Sequence, residues 1–374
     1  MSVLELARPE LLVLKPYSSA RMEAGKAAVM LNANESPYAP FAGDALALNR
    51  YPDPQPAALL DQLGRAYGVD AGQIFVGRGS DEAIDLLVRA FCRAGRDAVL
   101  ICPPTFGMYA VAAGVQGAAV VAVPLQAERD FALDVDGVLN AARVNPVKLV
   151  FVCTPNNPTG GSVPIDQITG LATALAGRAL VVVDEAYAEF ADTPSVTSLL
   201  DQHPNLVVLR TLSKAYGLAG ARLGVLIAAP EIIGLIRRIM APYPLPTPCL
   251  AAALAAFSDA ASAARVEHLA TTRSERRRLA TALRAHPAVR HVWPSDANFV
   301  AFRVDDAHAT WRQLLDRGVI VRDVSHYLGL ANCLRVSAAP GKGLGGVGGG
   351  GPGAAQGHSS ARRRPRPPMR SLQP

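Results

Sequence analysis

Leu212-Ser213-Lys214-Ala215-Tyr216-Gly217-Leu218-Ala219-Gly220-Ala221-Arg222 is the stretch on which the reading of this chain turns. A lysine preceded by a hydroxyl residue, followed by small residues and then an arginine, suits an aldehyde ligand that carries a phosphate. The Lys214 amine can condense with the aldehyde, while Ser213 and Arg222 can hold the phosphate. Such a lysine works best with a depressed pKa, in a dry pocket or beside other cations. Taken alone, the stretch reads as a surface lysine at a helix start, so partners upstream have to decide.

The surrounding sequence alternates short β-rich runs with helical stretches, the pattern of a mostly parallel sheet covered by helices. Strands are predicted at 98–102, 119–124, 149–153, 179–184, 206–210 and 223–228, with amphipathic helices at 80–94 and 165–176. Several strands run straight into motif residues, and open α/β sheets place their ligands just beyond the carboxyl ends of the strands. After the proline-rich 241–248 the character changes. A long helical stretch from about 249 to 285, strands near 290–293 and 298–303, a helix around 307–317 and strands at 319–322 and 333–337 predict a smaller α+β domain.

Five motifs carry the candidate chemistry. Pro155-Asn156-Asn157-Pro158-Thr159-Gly160 follows an apolar strand, and an asparagine amide there can donate to a phenolate oxygen. As a turn alone the string is ordinary; its place at a strand end ahead of the lysine favours ligand contact. Val183-Asp184-Glu185-Ala186-Tyr187 closes a strand of consecutive valines. An unpaired acid at a buried strand tip is costly, and a protonated pyridine nitrogen would supply the partner. Tyr187, three residues on, can reach a phenolic oxygen. Gly77-Arg78-Gly79-Ser80-Asp81-Glu82 opens a helix and offers free N–H groups and a hydroxyl to a phosphate, although it is also a good capping sequence. Aromatics in Cys102-Pro103-Pro104-Thr105-Phe106-Gly107-Met108-Tyr109 can cover a flat ring or simply pack in the core. Arg335 and Arg322, on the last two predicted strands, can clamp carboxylates or phosphates, or serve as surface ion-pair partners.

Charge points away from polyanion partners. The net +6 arises from six basic residues after Ser337 (Lys342, Arg362, Arg363, Arg364, Arg366 and Arg370). Removing those six from 37 leaves basic and acidic counts equal at 31, so nucleic-acid binding is not expected of the body. The five cysteines are scattered, with no Cys-x-x-Cys pair, so neither a disulfide framework nor a metal knuckle is expected, and a reducing cytoplasm is. Charged residues interrupt the N-terminal segment, and no apolar run approaches a membrane span, so no signal peptide or membrane association is expected.

Together these strings resemble the fold-type-I pyridoxal-phosphate aminotransferases, in particular the branch acting on histidinol phosphate. The carrying residues are Leu31–Glu35, Asn49–Pro52, Arg78–Glu82, Pro104–Tyr109, Pro155–Gly160, Asp184–Tyr187, Arg210–Arg222 and Ala241–Leu245, and the similarity runs to about Ser337. The resemblance implies a seven-stranded, mostly parallel sheet covered by helices, with a smaller α+β domain. It divides the chain into an arm joining the small domain (1–40), a large cofactor domain (41–245), a small domain (246–337) and a tail (338–374). It places pyridoxal 5'-phosphate on Lys214, with Asp184 at the pyridine nitrogen and Asn157 and Tyr187 at the phenolic oxygen. Gly79, Ser80, Asp81, Ser213 and Arg222 would surround the phosphate, and Tyr109 would stack on the ring. Tyr51 would reach the neighbouring subunit's cofactor, implying a homodimer. Arg335 would meet the carboxylate of glutamate and 2-oxoglutarate; Arg322, with Tyr17, would take the substrate phosphate, and Asn34 would help bind substrate. An aromatic aminotransferase or a threonine-phosphate decarboxylase shares the scaffold, and an inactive cofactor-fold binding protein is the reading from another class.

From Ala338 the sequence departs from that family, becoming nearly all glycine and then an arginine-proline tract. Such composition buries too little apolar surface to order itself. It is what GC-rich DNA encodes out of frame, so a frame shift near Ser337 is expected, with apolar surface exposed on the small domain and substrate closure weakened.

Overall fold

Three valines between a leucine and an aspartate have no polar face to offer water, so the strand Leu180–Asp184 has to be covered on both sides. In the computed structural model, which describes residues 2–15 and 31–340, all five of these residues are buried at the centre of the larger sheet. That sheet comprises β1 (Ile74–Gly77), β2 (Ala98–Ile101), β3 (Ala119–Ala122), β4 (Val147–Cys153), β5 (Leu180–Asp184), β6 (Leu206–Thr211) and β7 (Gly224–Ala228). Its order is β1-β7-β6-β5-β4-β2-β3. Strands β2 to β6 pair in parallel, while β7 runs antiparallel to both β6 and β1. The sequence pattern does not single out β1, because four residues are too few to display a period, and it cannot show the reversal at β7, because side-chain alternation carries no strand direction.

Helices cover both faces. On one lie α1 (Ala57–Tyr67), α4 (Val135–Val144) and α5 (Ile165–Ala174); on the other lie α2 (Ser80–Phe91), α3 (Met108–Gln116) and α6 (Pro230–Ile239). Val3, Leu6 and Ala7 pack into the second layer, and Arg8 N–H donates to the carbonyl of Ala90. This part of the expected arm is therefore held by the large sheet and not by the small one, since its apolar residues fit between helix faces there. Residues 16–30 of the arm lie outside the described residues.

The smaller sheet follows α7 (Thr247–Ala256) and α8 (Asp259–Ala285). It contains β8 (Val289–Val292), β9 (Phe299–Val304), β10 (Arg322–Asp323) and β11 (Cys333–Ser337), antiparallel in the order β10-β11-β9-β8, with α9 (Ala307–Asp316) after β9. Val300, Phe302 and Leu334 pack toward α8 and α9, whereas Ala301 and Cys333 belong to the core of the large sheet. Residues up to Ala339 make one compact unit, so the division we propose near residue 245 separates two sheets within one body.

Two expected elements differ. The single helical stretch from 249 to 285 is two helices meeting at 71°. Ser258 caps α8 by accepting from the Ala261 N–H, and Arg265 Nη1 donates back to the Ala256 carbonyl at 2.9 Å. The alanine-rich composition hides that break. The strand expected at 319–322 shrinks to β10, because Val319 N–H donates to the Leu314 carbonyl and Trp311 Nε1 to the Val321 carbonyl. Helix α9 thus takes the backbone groups a strand would have needed. The tail, residues 341–374, lies outside the described residues.

Candidate active site

The carboxyl ends of β4, β5 and β6 and the N-terminus of α2 close around a cavity of about 300 Å³. Spaces of about 470 and 440 Å³ lie beside it, but of the three only this one is lined by both Asp184 and Lys214. Burial pushes the Asp184 carboxyl up to about 6, against hydrogen bonds from Tyr109 and the Ala186 N–H that pull it down. Above that pH the folded chain carries this charge at a cost, which a cation bound in the cavity would offset. The Lys214 amine is pushed below the usual lysine value, first by desolvation and then by Arg335 and Arg222. An amine that gives up its proton more readily than an ordinary lysine thus shares a cavity with a buried acid.

Their separation is fixed from behind. Arg210, near the end of β6, bonds Glu185 at 2.7 Å and Glu189 at 2.9 Å, with its guanidinium 4.9 Å from the Tyr67 ring centroid. This buried pair ties the tip carrying Asp184 to the strand leading to Lys214. Breaking such a pair costs about 3–5 kcal/mol.

At the corner where α2 begins, Gly79 adopts φ +81° and precedes the first-turn N–H groups of Ser80 and Asp81. Arg222 sits at φ +53°, a conformation that costs a non-glycine residue about 1 kcal/mol, and its Nη2 lies 3.2 Å from Asp81 Oδ2. Ser213 lines the same corner. A Cβ on Gly224 would fall 2.0 Å from Ser80 N, so that glycine leaves room for the first turn of α2 over β7.

The two adjacent asparagines have separate tasks. Asn156 is buried and spends its side chain on Pro104, Thr105 and Thr159. Asn157 reaches the cavity, where its Oδ1 accepts from Arg335 Nη1, leaving Nδ2 as a donor for a phenolate. The Tyr187 hydroxyl is held protonated by burial, and its ring meets Phe299 edge-on at 5.2 Å. Arg335 stands over Phe299, 5.0 Å from the ring centroid.

Gly79, Ser80, Asp81, Asn157, Asp184, Tyr187, Ser213, Lys214, Arg222 and Arg335 thus meet in one cavity. Tyr109 does not line it. Its ring is fully buried beneath Asp184, stacked on Phe151 at 4.5 Å, and cannot cover a ligand. Phe106, three residues earlier, reaches the wall instead. Asn34 is exposed on the segment before α1 and also stays off the wall. Arg322 is exposed outside the wall, but it is the register partner of Arg335 in the β10–β11 pair, so both side chains leave the same face. Tyr51 is exposed and stacks on Tyr243 at 4.3 Å, away from this chain's own cavity. Tyr17 lies outside the described residues. Cys153 and Thr211 also line the cavity, and no motif pointed to them.

Residues 20–342 match the family of class I and II aminotransferases. The chain belongs to that family. The histidinol-phosphate aminotransferase of Stenotrophomonas maltophilia (strain R551-3) is 52% identical over 336 residues, covering 90% of this chain and 92% of that protein. That of Xylella fastidiosa (strain 9a5c) is 48% identical, with 90% of this chain and 92% of that protein covered. Among solved structures, the Sinorhizobium meliloti histidinol-phosphate aminotransferase in complex with pyridoxal-5'-phosphate superposes with a TM-score of 0.70. It shares 29% identity and covers 89% of this chain and 93% of that one. This chain therefore has the fold of these aminotransferases. The residues present fit a phosphorylated pyridine aldehyde: an amine of lowered pKa, a buried carboxyl with no ion pair among the described residues, and a glycine-lined helix N-terminus beside an arginine.

Proposed function

We propose that this chain transfers an amino group between histidinol phosphate and 2-oxoglutarate, giving imidazole-acetol phosphate and glutamate, with pyridoxal 5'-phosphate bound at Lys214. The observation that carries this is Lys214 facing Asp184 across one cavity in a chain about half identical to named histidinol-phosphate aminotransferases. Bound there, the cofactor supplies a ring that takes up the electron pair released when the substrate's C–H bond breaks. Asp184 holds the ring nitrogen's proton, while Asn157 Nδ2 and the Tyr187 hydroxyl steady the phenolic oxygen. The Lys214 amine, neutral more often than an ordinary lysine, takes and returns the substrate proton.

Arg335 suits the carboxylate of the dicarboxylic partner, and Arg322, on the same face one strand away, the phosphate of the amino alcohol. Arg335→Leu is expected to raise KM for glutamate and 2-oxoglutarate about 10–100-fold, the loss of a charge-assisted pair, with a smaller change for histidinol phosphate. Steady-state kinetics with each substrate varied in turn checks this; equal losses for both would remove the assignment.

A second copy completes the site in this reading. Leu31 is 87% exposed and Tyr38 79% exposed, with Phe41 and Tyr51 also exposed on the same segment, side chains on which a second copy could pack. Tyr51 would reach the partner's phosphate. No single described helix is long and apolar enough to cross a membrane and all five cysteines are free, which suits the cytoplasm.

Mixing the loaded protein with histidinol phosphate and no acceptor tests the whole. The cofactor absorbance should convert fully to that of the aminated form, faster than with phenylalanine and without release of carbon dioxide from phosphothreonine. Preference for phenylalanine, or decarboxylation, would transfer the chain to a neighbouring activity on this scaffold.

A further inference from the structure

The aromatic pair of the Pro104–Tyr109 string is divided between two layers. Phe106 lines the cavity, and Tyr109, at the start of α3, lies beneath it with ring centroids 5.7 Å apart and planes at 83°. Tyr109 is fully buried and stacked within 9° of parallel on Phe151 from β4, with Asp184 and the Cys153 thiol beside its hydroxyl. It donates to Asp184 Oδ2 at 2.6 Å. The other carboxylate oxygen accepts the Ala186 N–H at 3.1 Å. Resting on the cofactor assignment above, we propose that Tyr109 is a positioning residue: its hydroxyl fixes the plane and the charge state of Asp184, so that the shared proton stays on the pyridine nitrogen.

A carboxylate facing a protonated ring nitrogen competes with it for one proton, and the weaker base loses. A hydrogen bond donated to the carboxylate lowers its basicity and leaves the proton on the ring. The groups that face Asp184 are Tyr109 from α3, Cys153 from β4, Asp81 from α2, Lys214 after β6 and its neighbour Glu185. Of the charged groups among them, the two carboxylates make Asp184 a stronger base, and the lysine opposes them only while protonated. Tyr109 donates to Asp184 and thus works in the other direction. Burial beside Asp184 keeps its own proton in place.

Tyr109→Phe keeps the stack and removes one oxygen. The loaded protein is diluted and the released pyridoxal 5'-phosphate measured from pH 5 upward, for the parent, Tyr109→Phe, Asp184→Ala and the double variant. Tyr109→Phe should weaken retention about tenfold, the size of one charge-assisted hydrogen bond, and move the acid limit of retention to higher pH. In the Asp184→Ala background the same change should alter retention by less than about twofold, because the two act through one contact. Phe151→Leu, which loosens the stack but keeps the hydroxyl, should lower Tm and leave the acid limit in place. An unmoved acid limit in Tyr109→Phe, an undiminished effect without Asp184, or a moved limit in Phe151→Leu would each overturn the proposal. A parent protein that takes up no cofactor would overturn the functional reading itself, a result distinct from all three.

Discussion

Lys214→Ala is expected to lower kcat for amino transfer by at least about 10³-fold, the combined loss of the covalent anchor and of the general base. Borohydride treatment of the loaded parent should fix a cofactor label on the peptide spanning 212–222, and the variant should carry none. Stability should change little, because Lys214 is accessible from the cavity and packs no core. The corner proposed for the cofactor phosphate remains intact in the variant, since Ser80, Ser213 and Arg222 are untouched. Cofactor should therefore still bind, held without a bond and released more readily. Turnover at the parent rate, or a label on another lysine, would remove the foundation of the functional reading.

Gly224→Ala should have the largest effect of any single methyl group added near the site. The new Cβ would stand 2.0 Å from Ser80 N and 2.1 Å from the Gly79 carbonyl carbon, both backbone atoms. Neither can yield alone, because Gly79 is already in the left-handed region and begins α2. The helix must move or the strand must separate from β1 and β6. Overpacking of this kind costs about 1–3 kcal/mol, or a Tm loss of about 2–10 °C in a body of this size. Moving the α2 N-terminus also displaces the phosphate N–H groups, so cofactor affinity should fall with Tm. Gly220→Ala, in the same loop region with no atom within 4 Å of its Cβ, is the control and should leave both unchanged. Thermal melts of loaded and stripped protein compare the two; a Gly224→Ala variant that matches Gly220→Ala in both readouts would show that the close approach does not constrain the corner.

Much of the site is legible because the chemistry imposes a residue type at a strand end. A run of valines closing on Asp184 announces both a central strand and a buried acid, and the structure has both. Arg222 eight residues after Lys214 similarly marks one loop that returns to its own start. What stays hidden has a common cause. The 71° bend between α7 and α8 depends on one serine cap among alanines, and β10 is short because α9 uses up neighbouring backbone groups. Neither competition leaves a periodic trace. The family match stops at residue 342, close to where the composition changes after Ser337.

By itself the amino-acid order determined the alternating architecture, the central strand, and the set of an amine, an acid, an asparagine turn and arginines that this chemistry needs. These follow from local periodicity and from side-chain type, which are properties of short segments. Only the tertiary structure decided that Phe106 and not Tyr109 reaches the cavity wall, and what keeps Asn156 from it: its side chain is spent on Pro104, Thr105 and Thr159 while Asn157 meets Arg335. That choice rests on where strand ends stop, how β9 and β11 pair, and how closely α2 can approach Gly224. Contacts between residues far apart in the chain set those distances, and no short window of sequence contains both partners.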